Sequence, residues 1–209
     1  MKLGTTESAF MNNFVRKWFM RNLEARVFYR NLMRKNLIKK MPRAILEIGC
    51  GRGDGILIHE ELYKPRIHSA FDIDPYLIKL ANLKRKENSF NHVKITVGDV
   101  RNIDEPDEKF DAVFGYGVLH HVENWQKGVR EVARVLKPKG VYCWEEPFEY
   151  FNNLIFSKIL LSHPKVGMNY KSWMDQLQKA SLACYTGWPI KNPFITLGIS
   201  TRLRKNAKN

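Results

Sequence analysis

Short apolar segments alternate with amphipathic segments between residues 44 and 147, and this alternation restricts the fold more than any other feature of the chain. It is typical of parallel βαβ units, which are joined by right-handed crossovers around a buried sheet. The predicted strands are 44–48, 67–71, 93–97, 112–114 and 141–144, and the predicted helices are about 54–63, 75–86 and 125–136.

The flanking segments have a different pattern. Residues 8–40 repeat apolar residues at helical spacing with basic residues between them, and Pro42 ends this helical pattern. Beyond Pro147 the alternation stops. The elements predicted there are helices over 148–161 and 172–182, closing strands over 182–185 and 194–200, and a frayed basic end from Arg202.

A chain of 209 residues fits one domain with little room for a second core. We therefore predict an α/β fold with a Rossmann-like open parallel sheet, a terminal antiparallel strand and helices on both faces. Residues 1–43 form a basic amphipathic helical extension, and 44–147 the ligand-binding core. Residues 148–209 add a helical lid, the closing strands and a basic tail to the same domain.

Positive charge is concentrated in the flanks. The formal net charge is +14 overall, with +9 in residues 1–43, −2 in 44–147 and +7 in 148–209. Such charge is either a solvated face or the attachment site of an acidic partner, namely anionic lipid headgroups, an acidic substrate or nucleic acid. The sequence leaves both interpretations open.

The cysteines and the apolar segments exclude several classes of protein. Three cysteines without CxxC spacing argue against a disulfide framework or a zinc site, so the sequence predicts no metal centre and a reducing, cytoplasmic environment. No apolar run approaches the roughly 18–20 residues that span a bilayer. No signal peptide is predicted, because polar residues interrupt the N-terminal aromatics.

Glycines and acidic residues follow the predicted strands. In an open parallel sheet the carboxyl ends of the strands bind the ligand, so these residues are candidates for one site. Glycine lets the backbone turn tightly and approach a ligand, and a carboxylate after the second strand suits a ribose diol. The candidates are Gly49, Gly51 and Gly53 after the first strand, Asp72 after the second, Gly98 and Asp99 after the third, and Gly115 and Tyr116 after the fourth.

The acidic character of this edge distinguishes between nucleotide cofactors. Five carboxylates surround the glycine loop, and a pyrophosphate would be repelled by roughly 4 kcal/mol for each pair of unit charges at ~4 Å. A ligand with a sulfonium, an ammonium and no phosphate suits this edge, and S-adenosyl-L-methionine has that charge pattern. A P-loop is excluded because no GKS or GKT follows. The five carboxylates are Glu47, Asp54, Asp72, Asp74 and Asp99.

Several segments resemble motifs of class I S-adenosylmethionine-dependent methyltransferases. The resemblance covers about residues 44–147, with the motifs in the right order, and is closest to the type 11 branch that includes ubiquinone- and menaquinone-type enzymes. Lys139 departs from the glycine usual in the turn before the fifth strand. The matching segments are 45–54, 71–75, 97–100, 110–114 with 118–122, and 132–140.

The resemblance implies roles for individual residues. Glu47, Gly49 and Gly51 would line the methionine end of S-adenosyl-L-methionine, within a loop that includes Cys50 and Gly53. Asp72 would hold the ribose, Ile73 would lie against the adenine, and Asp99 would accept from its amino group, beside Gly98 and Val100. The backbone around Gly115 and Tyr116 would face the sulfonium.

Methyl transfer needs a general base only if the acceptor must lose a proton. His120 and His121 are the candidates, although the favoured interpretation is that one of them caps or packs at the following helix and the other is solvated. Tyr116 is a third candidate, which would either bind the acceptor or pack. Glu145 and Glu146 would hold a cationic amine or merely lie at the edge of the site.

The flanks are expected to select the acceptor. Aromatic residues beside basic ones suit a small-molecule or lipid-like acceptor and peripheral contact with an anionic membrane. RNA methylation is a less favoured alternative, since no (N/D)PPY motif follows the fourth strand, and a cofactor-binding protein without catalysis is a third. The acceptor atom and the oligomeric state are not predicted. The aromatic residues concerned are Phe10, Phe14, Trp18, Phe151 and Trp173, and the aliphatic residues beside them are Ile155 and Ile159.

Overall fold

A computed structural model describes residues 14–148, 168–185 and 196–204, with side chains from residue 21 onwards. Its seven-stranded sheet has the order β3-β2-β1-β4-β5-β7-β6. The first five strands pair in parallel, and β7 runs antiparallel between β5 and β6. The strands are β1 (Ala44–Ile48), β2 (Ile67–Asp72), β3 (Val93–Val97), β4 (Phe110–Tyr116), β5 (Leu136–Glu146), β6 (Leu182–Tyr185) and β7 (Thr196–Arg202).

Helices cover both faces of the sheet, as predicted. β1 shows this directly, because Ile45 packs with α1 and α2 whereas Leu46 packs on the opposite face with α4 and α5. The alternation of side chains along a strand explains the division. The helices are α1 (Phe14–Arg34), α2 (Asp54–Tyr63), α3 (Pro75–Glu87), α4 (Trp125–Val135) and α5 (Tyr170–Lys179), with a short 3₁₀ helix at Leu119–His121.

Local sequence explains the beginnings of two helices. Pro75 occupies the first turn of α3, where its missing N–H is not needed, and the Asp74 side chain accepts from the Tyr76 N–H. At α5, Asn169 and Ser172 exchange hydrogen bonds as a capping box. Both helices therefore begin where a side chain replaces the backbone acceptors that the first turn lacks.

The predictions around β5 need correction. Lys137–Gly140 was predicted as a turn before the strand, but the strand begins at Leu136 and the four residues form an irregularity within it. Phe110 pairs with Leu136 and Ala112 with Val141, so the extra residues bulge from the ladder, and Lys139 has a φ of 69°.

Arg202 was predicted to begin a frayed end, and this prediction was wrong. It lies in β7, and its guanidinium donates to the carbonyl oxygens of Arg134 and Leu136 and forms an ion pair with Glu108 at 3.1 Å. These contacts hold the end of β7 against the first residue of β5 and the segment just before β4.

Several predictions fall outside the described residues. These include the aromatic side chains of Phe10, Phe14 and Trp18, and the helix at 148–161 with Phe151, Ile155 and Ile159. Trp173, also assigned to the lid, is fully buried beside Trp125 and Trp144 in the core. Among the described helices, none has the combination of length and apolar character needed to cross a bilayer.

Candidate functional site

The register of the parallel strands brings the predicted site residues to one edge of the sheet. Ile48 at the end of β1 pairs with Phe71 and Gly115, and Asp72 pairs with Val97. The segments that follow β1, β2, β3 and β4 are consequently neighbours, as the sequence predicted.

The loop after β1 depends on left-handed backbone conformations. Gly49, Gly51 and Gly53 have φ values of 61°, 55° and 83°, which other residues adopt only with strain. A Cβ on Gly49 would lie 2.6 Å from a methyl of Val118, whereas a Cβ on Gly51 would have no neighbour within 4 Å in the described part of the chain. Gly49 is thus required by packing, and Gly51 leaves its backbone open on one side.

Asp72 connects this loop to the end of β2. Its carboxylate accepts from the Gly51 N–H at 2.8 Å and from the Asp74 N–H at 3.0 Å. The neighbouring Ile73 side chain is 63% exposed, an unusual position for a large apolar group. A carboxylate and an exposed apolar surface therefore lie side by side at the edge of the loop.

Asp99, after β3, already has a partner within the protein. Arg101 donates to both carboxylate oxygens through its side chain, at 2.6–3.1 Å, and its backbone N–H donates to one of them. These hydrogen bonds from Arg101 lower the pKa of Asp99, so the carboxylate is held ionised. Val100 is buried beneath it, and a Cβ on Gly98 would lie 3.2 Å from the Phe71 ring.

Glu47 and Cys50 are buried rather than exposed at the site. Burial is the main cause that raises the pKa of Glu47 to about 8, although the nearby Arg21 guanidinium, 3.6 Å from a carboxylate oxygen, opposes the rise. Neither oxygen of Glu47 has a hydrogen-bond partner among the described residues. Burial also raises the pKa of the Cys50 thiol, so this thiol stays protonated and unreactive.

The side chain of Tyr116 lies in the core, with only its backbone at the end of β4. Its hydroxyl is 2.8 Å from the Nε2 of His59, and the Arg21 guanidinium lies 4.0 Å from the centre of its ring. Gly115 is equally enclosed, because a Cβ there would lie 3.0 Å from Ile48. This environment favours the packing interpretation of Tyr116 that the sequence left open.

The two histidines after β4 differ in environment. His120 is buried, and its Nδ1 is 2.7 Å from Glu146, whose carboxylate also accepts from the N–H groups of Val118, Leu119 and His120. His121 is half-buried, with its ring centre 3.9 Å from that of His120. Glu146 thereby caps the 3₁₀ helix, and His120 belongs to the cap.

Arg21 and Glu24 of α1 contribute to this region, and sequence analysis did not single them out. Arg21 lies between Glu47 and Glu24, 4.0 Å from the latter. Burial, followed by the nearby Glu24 and Glu146 carboxylates, raises the pKa of Glu145 well above its usual value, while Arg21 opposes this. The only sign of these two residues in the sequence was that they form a charged pair within an amphipathic helix, and such a pair is ordinarily exposed to solvent.

Comparisons with known proteins agree with this geometry. Residues 46–144 match the methyltransferase domain family. The fatty-acid O-methyltransferase of Mycolicibacterium smegmatis is 28% identical over 104 residues, which are 50% of this chain and 37% of that protein. The phthiotriol/phenolphthiotriol dimycocerosates methyltransferase of Mycobacterium tuberculosis gives the same identity and the same coverage. The chain therefore spans less than two fifths of the length of either relative.

A solved structure extends the likeness in fold beyond the matched residues. The S-adenosylmethionine-dependent methyltransferase of Mesorhizobium loti superposes with a TM-score of 0.65 over 80% of this chain and 95% of that one, at 14% identity. By the family match and by the sheet order, residues 46–144 are similar to the methyltransferase domain family and share the fold of that S-adenosylmethionine-dependent enzyme.

Proposed function

We propose that this chain transfers a methyl group from S-adenosyl-L-methionine to a small-molecule or lipid-like acceptor. The observation that carries the proposal is the convergence of the open Gly51 backbone, the Asp72 carboxylate and the exposed Ile73 side chain at one edge of the sheet. This arrangement offers hydrogen-bond groups for a ribose and an apolar surface for an adenine.

The charge of the site fits such a ligand. Carboxylates line the strand ends, and two basic side chains nearby, Arg101 and Lys84, are paired with Asp99 and Asp54. A pyrophosphate would be repelled by the Asp72 carboxylate, whereas a ligand with a sulfonium and an ammonium is attracted by it. S-Adenosyl-L-methionine supplies an activated methyl group on its sulfonium when it is bound.

The protein's own contribution is then to bind, orient and exclude water. Asp72 would fix the ribose and Ile73 the adenine, while the Gly49–Gly53 loop and the backbone near Gly115 would surround the remainder. The Nδ1 of His120 is 2.7 Å from Glu146, so Nε2 is the atom of His120 that could accept a proton. We assign the chemistry chiefly to positioning, with the Nε2 of His120 and the His121 imidazole as the candidate bases.

The lipid-like acceptor rests on two observations. Both curated relatives are named for lipid substrates, and the outer face of α1 combines basic and apolar side chains. Arg26, Arg30 and Arg34 are exposed there together with Leu23 and Met33, at 50% and 43%. This combination suits the headgroup region of an anionic membrane, from which a lipid-like acceptor would be taken.

Calorimetric titration tests the cofactor. We expect S-adenosyl-L-methionine and its demethylated product to bind and NAD not to bind. Asp72→Asn should weaken binding about 10- to 100-fold. The neutral amide would replace the charge-assisted hydrogen bonds of the carboxylate, both with the Gly51 N–H and with the ribose, by weaker ones. Asp74→Asn is the matched control: it makes the same charge change two residues away and retains a good helix cap, so its affinity should stay within about twofold. Equal effects of the two variants would contradict the assignment.

Transfer of a labelled methyl group to cell extract, separated into lipid, RNA, protein and small-molecule fractions, tests the acceptor. Label in the lipid or small-molecule fraction supports the proposal. Label in RNA would favour the nucleic-acid alternative, and cofactor binding without transfer would indicate a non-catalytic protein. Co-sedimentation with anionic vesicles at low salt tests the membrane contact, and Arg30→Gln with Arg34→Gln should weaken it.

A further inference from the structure

Three side chains that can bind a metal ion meet beneath the glycine loop. Glu47 of β1, His59 of α2 and His68 of β2 are at most 1% exposed. Each offers a ligand atom, and these atoms all lie within 4.8 Å of one another. They come from three elements and are 12 and 9 residues apart in sequence, so no local motif places them together.

Several polar atoms of this cluster have no hydrogen-bond partner. Both Glu47 oxygens, the Nδ1 of His59 and the Nε2 of His68 are buried without one among the described residues, and a Glu47 oxygen lies 3.5 Å from the Nδ1 of His59. Buried polar groups are nearly always satisfied, and an absent ion or water is one explanation when they are not.

The other nitrogen of each imidazole is engaged. The Nε2 of His59 is 2.8 Å from the Tyr116 hydroxyl, and the Nδ1 of His68 is 2.7 Å from Glu60. Such second contacts, a carboxylate above all, fix the orientation of histidines that bind metals and direct the free nitrogen toward the ion. The cluster therefore shows the supporting interactions of a metal centre as well as its donor set.

We propose that Glu47, His59 and His68 bind a divalent transition metal, with zinc as the favoured ion. Two imidazoles and one carboxylate suit zinc, and the two Glu47 oxygens raise the number of donor atoms to four. Ligand distances of about 2.0–2.1 Å would place donors of different residues about 3.4 Å apart, so separations of up to 4.8 Å must contract by at most about 1.4 Å on binding. The carboxylates of Glu47 and Glu60 carry charge opposite to that of the ion, whereas the Arg21 guanidinium, 3.6 Å from a Glu47 oxygen, must move away or lose that contact when the ion binds.

Full burial gives this site a structural role. A closed site has no position for substrate, and here it would join α2 to β1 and β2 directly below the Gly49–Gly53 loop. The ion would thus stabilise the base of the cofactor site without touching the reacting groups. This inference does not depend on the proposed methyl transfer.

Binding to the wild-type chain is the first test. After treatment with a chelator and removal of the chelator, we expect one equivalent of Zn²⁺ to bind in calorimetry and to raise the melting temperature. Co²⁺ should give d–d absorption without a thiolate charge-transfer band, which excludes the three cysteines as ligands. A folded wild-type chain that binds neither ion would overturn the proposal and leave a buried Glu47–His59 contact.

Matched variants locate the site. His68→Gln should lower the affinity for Zn²⁺ by about 100-fold or more, and Glu60→Gln by about 10- to 100-fold, because Glu60 orients His68. His92→Gln is the control: its ring also contacts Glu60 but is 43% exposed and offers no atom to the cluster. Circular dichroism establishes that each variant is folded. Equal losses in all three, or none in His68→Gln, would contradict the assignment.

Discussion

The ends of β1 to β3 and the ends of β4 and β5 lie on one edge of the sheet but differ in how their polar groups are used. At β1 to β3, the Gly51 backbone and the Ile73 side chain are open, and Asp72 accepts from the nearby N–H groups of Gly51 and Asp74. At β4 and β5, the side chains of Tyr116, His120 and Glu146 are buried and bonded to other parts of the protein.

The difference separates two kinds of prediction. Residues at β1 to β3 were predicted as site residues from their backbone conformation and their position after a strand. Neither property depends on contacts with distant parts of the chain. Groups at β4 and β5 were selected because histidine and tyrosine can transfer protons, yet their role depends on which atoms folding brings into contact with them. Chemical capability in a sequence is therefore weaker evidence for catalysis than position at a strand end is for binding.

The largest effect should come from removing the cap at β5. Glu146→Ala deletes a buried carboxylate that accepts from three backbone N–H groups and contacts His120, so we expect a loss of about 3–5 kcal/mol in the free energy of unfolding, measured with urea. Exposed Glu123→Ala should change it by less than about 0.5 kcal/mol. A stable Glu146→Ala variant that has lost methyl transfer would instead make this region catalytic.

Gly51→Ala tests the region at the ends of β1 to β3, where the backbone is open. Its φ of 55° costs about 1–2 kcal/mol with alanine, while the new methyl group fills open space where we expect the ligand. Affinity for S-adenosyl-L-methionine should therefore fall at least about tenfold in calorimetry. In Gly53→Ala the methyl group lies 3.1 Å from Ala81, so the stability loss should be larger and the affinity loss smaller. A larger loss of affinity in Gly53→Ala than in Gly51→Ala would show that the open side of the loop is not at Gly51.

Tyr116→Phe tests the packing interpretation. Removing the hydroxyl leaves His59 without that partner, and we expect a loss of about 1–2 kcal/mol in unfolding free energy with cofactor affinity retained. Methyl transfer to cell extract should stay within about threefold of wild type. Abolished transfer in a stable variant would restore Tyr116 as a catalytic candidate.

The smallest effect concerns Asp99. Its pKa is lowered by Arg101, so the pair stabilises the fold above the ordinary aspartate value of 3.8, and the contribution disappears as the pH falls through the lower folded value. Because both side chains are partly exposed, Arg101→Met should cost about 0.5 kcal/mol at pH 6 and nothing at strongly acidic pH. Urea unfolding across this range measures it, and a pH-independent difference would contradict the assigned pair.

Secondary structure in the core was predictable because it depends on local patterns. The strands at 44–48 and 93–97 and the helix at 54–63 have the predicted bounds, and the fold class is confirmed. The prediction that Arg202 is frayed failed because its bonds to Leu136 and Glu108 join residues far apart in the chain. The roles of the individual cofactor residues and the division into segments stay predictions.

The sequence by itself determined the alternating sheet and helices, the glycine loop and the acidic strand ends, because periodicity, backbone freedom and charge belong to the residues themselves. Tertiary structure alone decided that His59 and His68 face Glu47, that Glu146 caps the 3₁₀ helix and that Arg21 lies over Tyr116. The protonation and bonding of a buried polar group depend on its neighbours in space, and those neighbours come from distant parts of the chain.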